Sequence, residues 1–153
     1  MLDMNNAQDI RKALKNELDL NARQVSVRTT SAGSIRVELK VPVAIAPVKA
    51  IAEQAQRVSR CEYSGDILGG GNVFVFVSYA AGTLDGIVDA AAVEALEGDA
   101  CLQLDKIQIE RDSARPWDFV VWDLAEEFGK AHCAGGAKVA AEVAAQILLN
   151  RAA

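Results

Sequence analysis

Residues 25–39 read Val25-Ser26-Val27-Arg28-Thr29-Thr30-Ser31-Ala32-Gly33-Ser34-Ile35-Arg36-Val37-Glu38-Leu39. Val25 and Val27 alternate with Ser26 and Arg28, and after Ser31-Ala32-Gly33 the alternation resumes with Ile35, Val37 and Leu39 against Arg36, Glu38 and Lys40. A period of two on both sides of a turn predicts an antiparallel hairpin with one apolar face. That face must be covered. The other is wet and partly basic, showing Arg28, Arg36 and Lys40.

Upstream, Asn6 can cap a first helix, and Asp9 favours its positive end. Ile10, Ala13, Leu14 and Leu18 form one stripe, Arg11, Lys12 and Lys15 face away from it, and Asn21-Ala22 ends the helix. Downstream, Pro47 suits the first turn of a second helix, whose stripe is Val48, Ile51, Ala52, Ala55 and Val58. A loop holding Gly65 and Gly69-Gly70-Gly71-Asn72 leads into Val73-Phe74-Val75-Phe76-Val77. This run is apolar at both parities, which predicts a strand at the sheet centre with its phenylalanines in the core.

In the second half, Thr83 can cap a third helix that turns Leu84, Ile87, Val88, Ala91 and Ala95 inward and closes at Gly98. Leu102 and Leu104 share one parity and Ile107 and Ile109 the other, so Asp105-Lys106 marks a bulge or a turn. A second hairpin turns at Ser113–Pro116 and returns through Asp118–Trp122. Residues 123–134 read either as a short helix capped by Asp123 with Glu126 or as a further strand. A helix over Lys138–Asn150 follows Gly135-Gly136, with Val139, Ala140, Val143 and Ile147 inward. The expected class is α+β, helices packed on a mainly antiparallel sheet. The αββ order occurs twice, which suggests two pseudo-repeats over 1–80 and 81–153, packed as one compact unit.

Composition narrows the function classes. The 153 residues are 51% hydrophobic and 24% charged, which excludes disorder and disulfide-stapled miniproteins. Cys61, Cys101 and Cys133 form no Cys-x-x-Cys pair, and adjacent His132 and Cys133 point different ways, so buried thiols in a reducing compartment are expected and no metal site. No apolar run approaches a membrane span, and Met1–Leu20 lacks a signal-peptide pattern. The glycine run precedes a strand instead of a helix, the reverse of a phosphate-cradling loop. Nothing places a base beside a Cys or Ser nucleophile, and nothing selects one carboxylate pair as acid and base. A non-enzymatic protein without cofactor is expected.

Charge is uneven. Residues 1–80 carry ten Lys/Arg against eight Asp/Glu, and residues 81–153 carry six against thirteen, within a net charge of −5. The acidic half supplies one candidate partner-binding set: Asp105, Glu110, Asp112, Asp118, Asp123, Glu126 and Glu127, with Trp117 as an apolar anchor. Trp122 is read as core. The basic half supplies the alternative set, a nucleic-acid-binding one of Arg11, Lys12, Lys15, Arg28 and Arg36.

The strings Ile10-Arg11-Lys12-Ala13-Leu14-Lys15, Gln24-Val25-Ser26-Val27-Arg28 and Gly33-Ser34-Ile35-Arg36-Val37, with the strand Asn72–Ser78, resemble a large polyvalent protein-associated domain of phages and conjugative elements. The resemblance spans about Gln8 to Tyr79; Leu39-Lys40-Val41-Pro42 stands where such domains often carry a tryptophan and a Gly-Pro turn. It implies no reaction and no catalytic residues, but a context. A phage or mobile-element protein of this kind is expected to inhibit a host defence complex, of anti-CRISPR or anti-restriction type, by non-catalytic protein binding. The alternative is a nucleic-acid-binding accessory protein of the same elements. Either would act in the cytoplasm of a bacterial host, on a host defence protein or nucleoprotein complex or on nucleic acid, with no membrane partner.

Overall fold

The computed structural model describes residues 6–58, 60–67, 69, 72–98, 101–126 and 129–152. The chain is α+β, with helices packed against largely antiparallel sheet, and it divides into two compact units, Met1–Thr83 and Leu84–Ala153.

The first unit runs α1 (Ala7–Leu18), β1 (Val25–Thr29), β2 (Ile35–Leu39), α2 (Ile45–Ala52), a 3-10 turn (Glu53–Ala55) and β3 (Val75–Tyr79). Asn6 caps α1 by accepting the Asp9 N–H at 3.0 Å. Asp19 ends the helix in the left-handed region, and Leu20 N–H bonds back to the Leu14 carbonyl at 3.2 Å. The helix therefore stops at Leu18, three residues before the expected Asn21-Ala22, because the cap forms first. Val25 pairs with Leu39, Val27 with Val37 and Thr29 with Ile35. Gly33, at φ 85, makes the turn possible, its N–H reaching the Thr30 carbonyl at 3.0 Å. The apolar parity of both strands is buried beneath Ile10, Ala13 and Leu14 of α1 and Val48, Ile51 and Ala52 of α2. Val58 lies outside the second helix, which ends at Ala52 and tightens into the 3-10 turn.

β3 is not central. The order is β1-β2-β3, and β3 runs parallel to β2 at an edge. Val75 is buried and Val77 half-buried, while Phe76 is 52% exposed. The expectation that both parities of Val73–Val77 are covered fails because α1 and α2 occupy only one face. The edge is still guarded: Val75 N–H donates to Gln56 Oε1 at 3.2 Å, and Arg57 forms a bridge to Val73. Gly70 and Gly71 of the glycine run lie outside the described residues.

The second unit runs α3 (Ala90–Glu97), β4 (Leu102–Leu104), β5 (Ile107–Arg111), β6 (Phe119–Asp123), β7 (Lys130–Ala134) and α4 (Ala137–Ala152), its strands forming an antiparallel meander. Thr83 does not cap the third helix. Its hydroxyl donates to the Leu39 carbonyl, Gly86 sits at φ 83, and the helix begins after Asp89, whose carboxylate accepts the Ala91 N–H at 3.1 Å. Leu96 is fully buried on this helix, whereas Ala91 and Ala95 are exposed. Asp105-Lys106 is a two-residue turn, with Lys106 at φ 51, and pairing of Leu102 with Ile109 and Leu104 with Ile107 puts all four on one face. Residues 130–134 form the further strand, paired with β6.

On α4 the inward residues are Ala137, Ala140, Ala141, Ala144 and Ala145; Val139 is 43% exposed, and Val143 and Ile147 are half-buried. The helix packs on β6 and β7 through its small side chains, so the valine stripe expected to face the sheet is turned aside. Both units open with a helix and a hairpin. They then diverge, since β3 joins β2 in parallel after a helix, and β6 joins β5 directly.

Candidate nucleic-acid interface

The uncovered face of the β1-β2-β3 sheet carries the densest functional pattern. Arg28 on β1 pairs with Arg36 on β2, and Arg36 pairs with Phe76 on β3, so the three lie in one row across the sheet. All three are exposed. The Arg36 guanidinium lies 5.9 Å from the Phe76 ring centroid, and Phe74 stacks on Phe76 at 6.5 Å and 27°. The adjoining row is Ser26, Glu38 and Ser78. Arg28 and Arg36 are cross-strand partners, so two like charges share one face, an arrangement that a bound anion relieves. A row of cations ending in an exposed aromatic ring can hold a phosphate and stack a base.

Phe76 and Phe74 were missed by sequence reasoning, which placed both in the core. The signal was present in their parity, opposite to Val73, Val75 and Val77. Only the packing of α1 and α2 on the opposite face leaves this parity uncovered.

Arg11, Lys12 and Lys15 lie elsewhere, in a groove of about 610 Å³ between the outer side of α1 and the connection 20–25. Arg23, also not anticipated, completes its basic lining, with Leu20, Ala22 and Val25 supplying apolar contact. Arg11 is held by the Gln8 side chain at 3.2 Å and by the Val27 carbonyl.

The acidic set does not form one surface. Asp105, Asp123 and Glu126 sit at the end of the second sheet marked by the β4-β5 and β6-β7 turns. Asp112, Trp117 and Asp118 sit at the other end, in the β5-β6 turn, about 13 Å away along strands of five residues. Glu110 lies between, half-buried, accepting the Trp122 indole N–H at 2.9 Å. Asp112 caps its own turn, accepting Ala114 N–H at 2.9 Å. Asp123 is 8% exposed and ion-paired with Arg151 of α4. Glu126 lines a cavity of about 430 Å³ with Lys130, His132 and Arg151. Glu127 lies outside the described residues.

Trp117 is 71% exposed in the β5-β6 turn, whose Pro116 carbonyl accepts from Arg111. Trp122 is not core: its parity on β6 is the one opposite to buried Phe119 and Val121, and its ring is half-buried. Cys101 and Cys133 are exposed and Cys61 half-buried, all as free thiols, against the expectation of buried ones. Cys133 alternates with inward Ala134 on an edge strand, which turns its side chain out.

No family model, curated protein or solved structure matches this chain. Among the described residues, no group of three or more His, Cys, Asp or Glu side chains is placed to hold a metal ion, and no helix is long and apolar enough to cross a membrane.

Proposed function

We propose that the first unit is a single-stranded nucleic-acid-binding module, acting as an accessory of a phage or conjugative element. The observation that carries this reading is the Arg28–Arg36–Phe76 row on an open sheet face. Bases stack on Phe76 while the two guanidiniums meet the backbone, a sequence-tolerant mode because every base has a π-face. The resemblance of residues 8–79 to a mobile-element domain supports the context. The test is fluorescence anisotropy with labelled single-stranded oligonucleotides at low salt. Phe76→Ala should weaken binding by about 5- to 150-fold, the equivalent of roughly 1–3 kcal/mol of stacking. Tight binding that Phe76→Ala leaves unchanged defeats the proposal.

A second reading rests on Trp117. An exposed tryptophan flanked by Asp112 and Asp118 is suited to anchor a protein partner, in keeping with inhibition of a host defence complex. Cells expressing the protein should then tolerate an otherwise targeted phage, and Trp117→Ala should restore targeting. Absence of protection by the unaltered protein defeats that reading.

A further inference from the structure

The cations of α1 and those of the sheet face meet at strand β1. Arg11 reaches from the helix to the carbonyl of Val27, and the next residue, Arg28, stands on the open face. The edge of β1 thus carries one guanidinium on each side. From Arg11 the groove continues past Lys12 and Lys15 to Arg23, and none of the described residues lining it is a carboxylate. Arg11 and Lys15 are one helical turn apart, about 6 Å along the axis. Together these side chains make a basic track that starts on the sheet and bends round its edge.

An acidic peptide is the competing occupant, since extended peptides commonly add to an exposed strand edge through their backbone groups. Here Arg11 already occupies the Val27 carbonyl on that edge. What the groove offers a ligand is side-chain charge, not a backbone ladder.

We infer that a bound single strand does not end on the sheet: its sugar–phosphate backbone turns over the β1 edge at Arg28 and enters the α1 groove, where Lys12, Lys15 and Arg23 hold its phosphates. This rests on the proposal that the sheet face binds single strands. The ligand length should therefore exceed what the Arg28–Arg36–Phe76 row alone can cover.

The experiment compares the full chain with a Lys12→Gln/Lys15→Gln/Arg23→Gln variant, using a trinucleotide and an oligonucleotide of about twelve residues. All three side chains are exposed, and circular dichroism checks that the fold is retained. Each lost phosphate contact lowers the salt slope for a single strand by about 0.7, so three lower it by about 2 and weaken binding at 0.1 M salt by roughly a hundredfold. That loss is expected for the long ligand, with trinucleotide affinity unchanged. An unchanged slope for the long ligand overturns the inference, as does equal loss for both lengths. It is also overturned if an acidic peptide of equal charge displaces the long oligonucleotide from the unaltered protein and loses its own affinity with the triple variant. Failure of the sheet-face proposal reads differently: Phe76→Ala then leaves trinucleotide binding intact, or the unaltered protein binds neither ligand.

Discussion

Replacing Arg151 by alanine should destabilise the second unit by about 3 kcal/mol. The Arg151 side chain leaves the last turn of α4 and donates to the Asp105 carbonyl at 2.6 Å, the Lys106 carbonyl at 3.3 Å and the Asp123 carboxylate. It thereby ties the helix end to the β4-β5 turn and to the end of β6. The Asp123 side chain is 12% exposed, so removing Arg151 would leave a largely buried carboxylate without this ion pair. Breaking a buried pair costs about 3–5 kcal/mol. Arg151 is itself 26% exposed, and water can enter where it stood, which lowers the ion-pair share to about 2 kcal/mol. The lost bonds to two turn carbonyls add about 1 kcal/mol.

Asp123→Asn should cost less, about 1–2 kcal/mol, because its amide oxygen can still accept the Ala125 N–H that Asp123 accepts at 3.1 Å. The double variant should be no worse than Arg151→Ala, since no unpaired carboxylate remains, giving a coupling of about 1–2 kcal/mol. Both tryptophans, Trp117 and Trp122, belong to the second unit, so intrinsic fluorescence during urea unfolding of the full chain follows that unit. The Arg151→Ala midpoint should fall by roughly 2 M. A shift under about 0.3 M, or zero coupling in the cycle, would show that Arg151 does not hold the helix end, and would return Asp123 to the set of residues available to a partner.

Three further outcomes are expected. Ala140→Leu should overpack the seam between α4 and the sheet and cost about 1–3 kcal/mol, whereas Val139→Lys should stay within about 0.5 kcal/mol by thermal unfolding. Burial pushes the Tyr79 hydroxyl above the ordinary tyrosine value of 10.0. The folded state then keeps a proton that the unfolded state has lost, so stability present below about pH 10 should decline as pH rises toward the folded value, and Tyr79→Phe should flatten that decline in urea titrations. The Ser64 hydroxyl, helped by the Ser64 and Tyr63 backbone, holds the Cys61 thiol below its ordinary 9.0, so its alkylation rate, followed by mass spectrometry, should rise at a lower pH than in Ser64→Ala.

Where local chemistry sufficed, the reading from residues matched the structure closely. The Asn6 cap, the register around Gly33 and the turn at Asp105-Lys106 each follow from a few neighbouring side chains and backbone preferences. The departures share another cause. Apolar residues at both parities of Val73–Val77 predict a central strand, yet an aromatic parity on an edge strand can stay in water beside an arginine. The size of Trp122 favours the core, but its parity on β6 turns it from the helices. On α4 the expected inward Ala140 is buried, together with Ala137, Ala141, Ala144 and Ala145 in place of the valines, because small side chains allow helix and sheet to approach.

The candidate site divides in the same way. Arg28 and Arg36 were legible as a basic parity within the hairpin, but their row with Phe76 required the parallel pairing of β2 and β3 across more than thirty intervening residues. Likewise Arg23 joins Lys12 and Lys15 only because α1 folds back along the connection into β1. Which residues share a face follows from local order along the chain, since the periods of strand and helix are properties of the local backbone. Which face is covered, and which charges end up beside one another, is decided by long-range packing. A dispersed acidic half therefore became two separate ends of a sheet, and a modest basic excess divides between an open sheet face and a groove along α1.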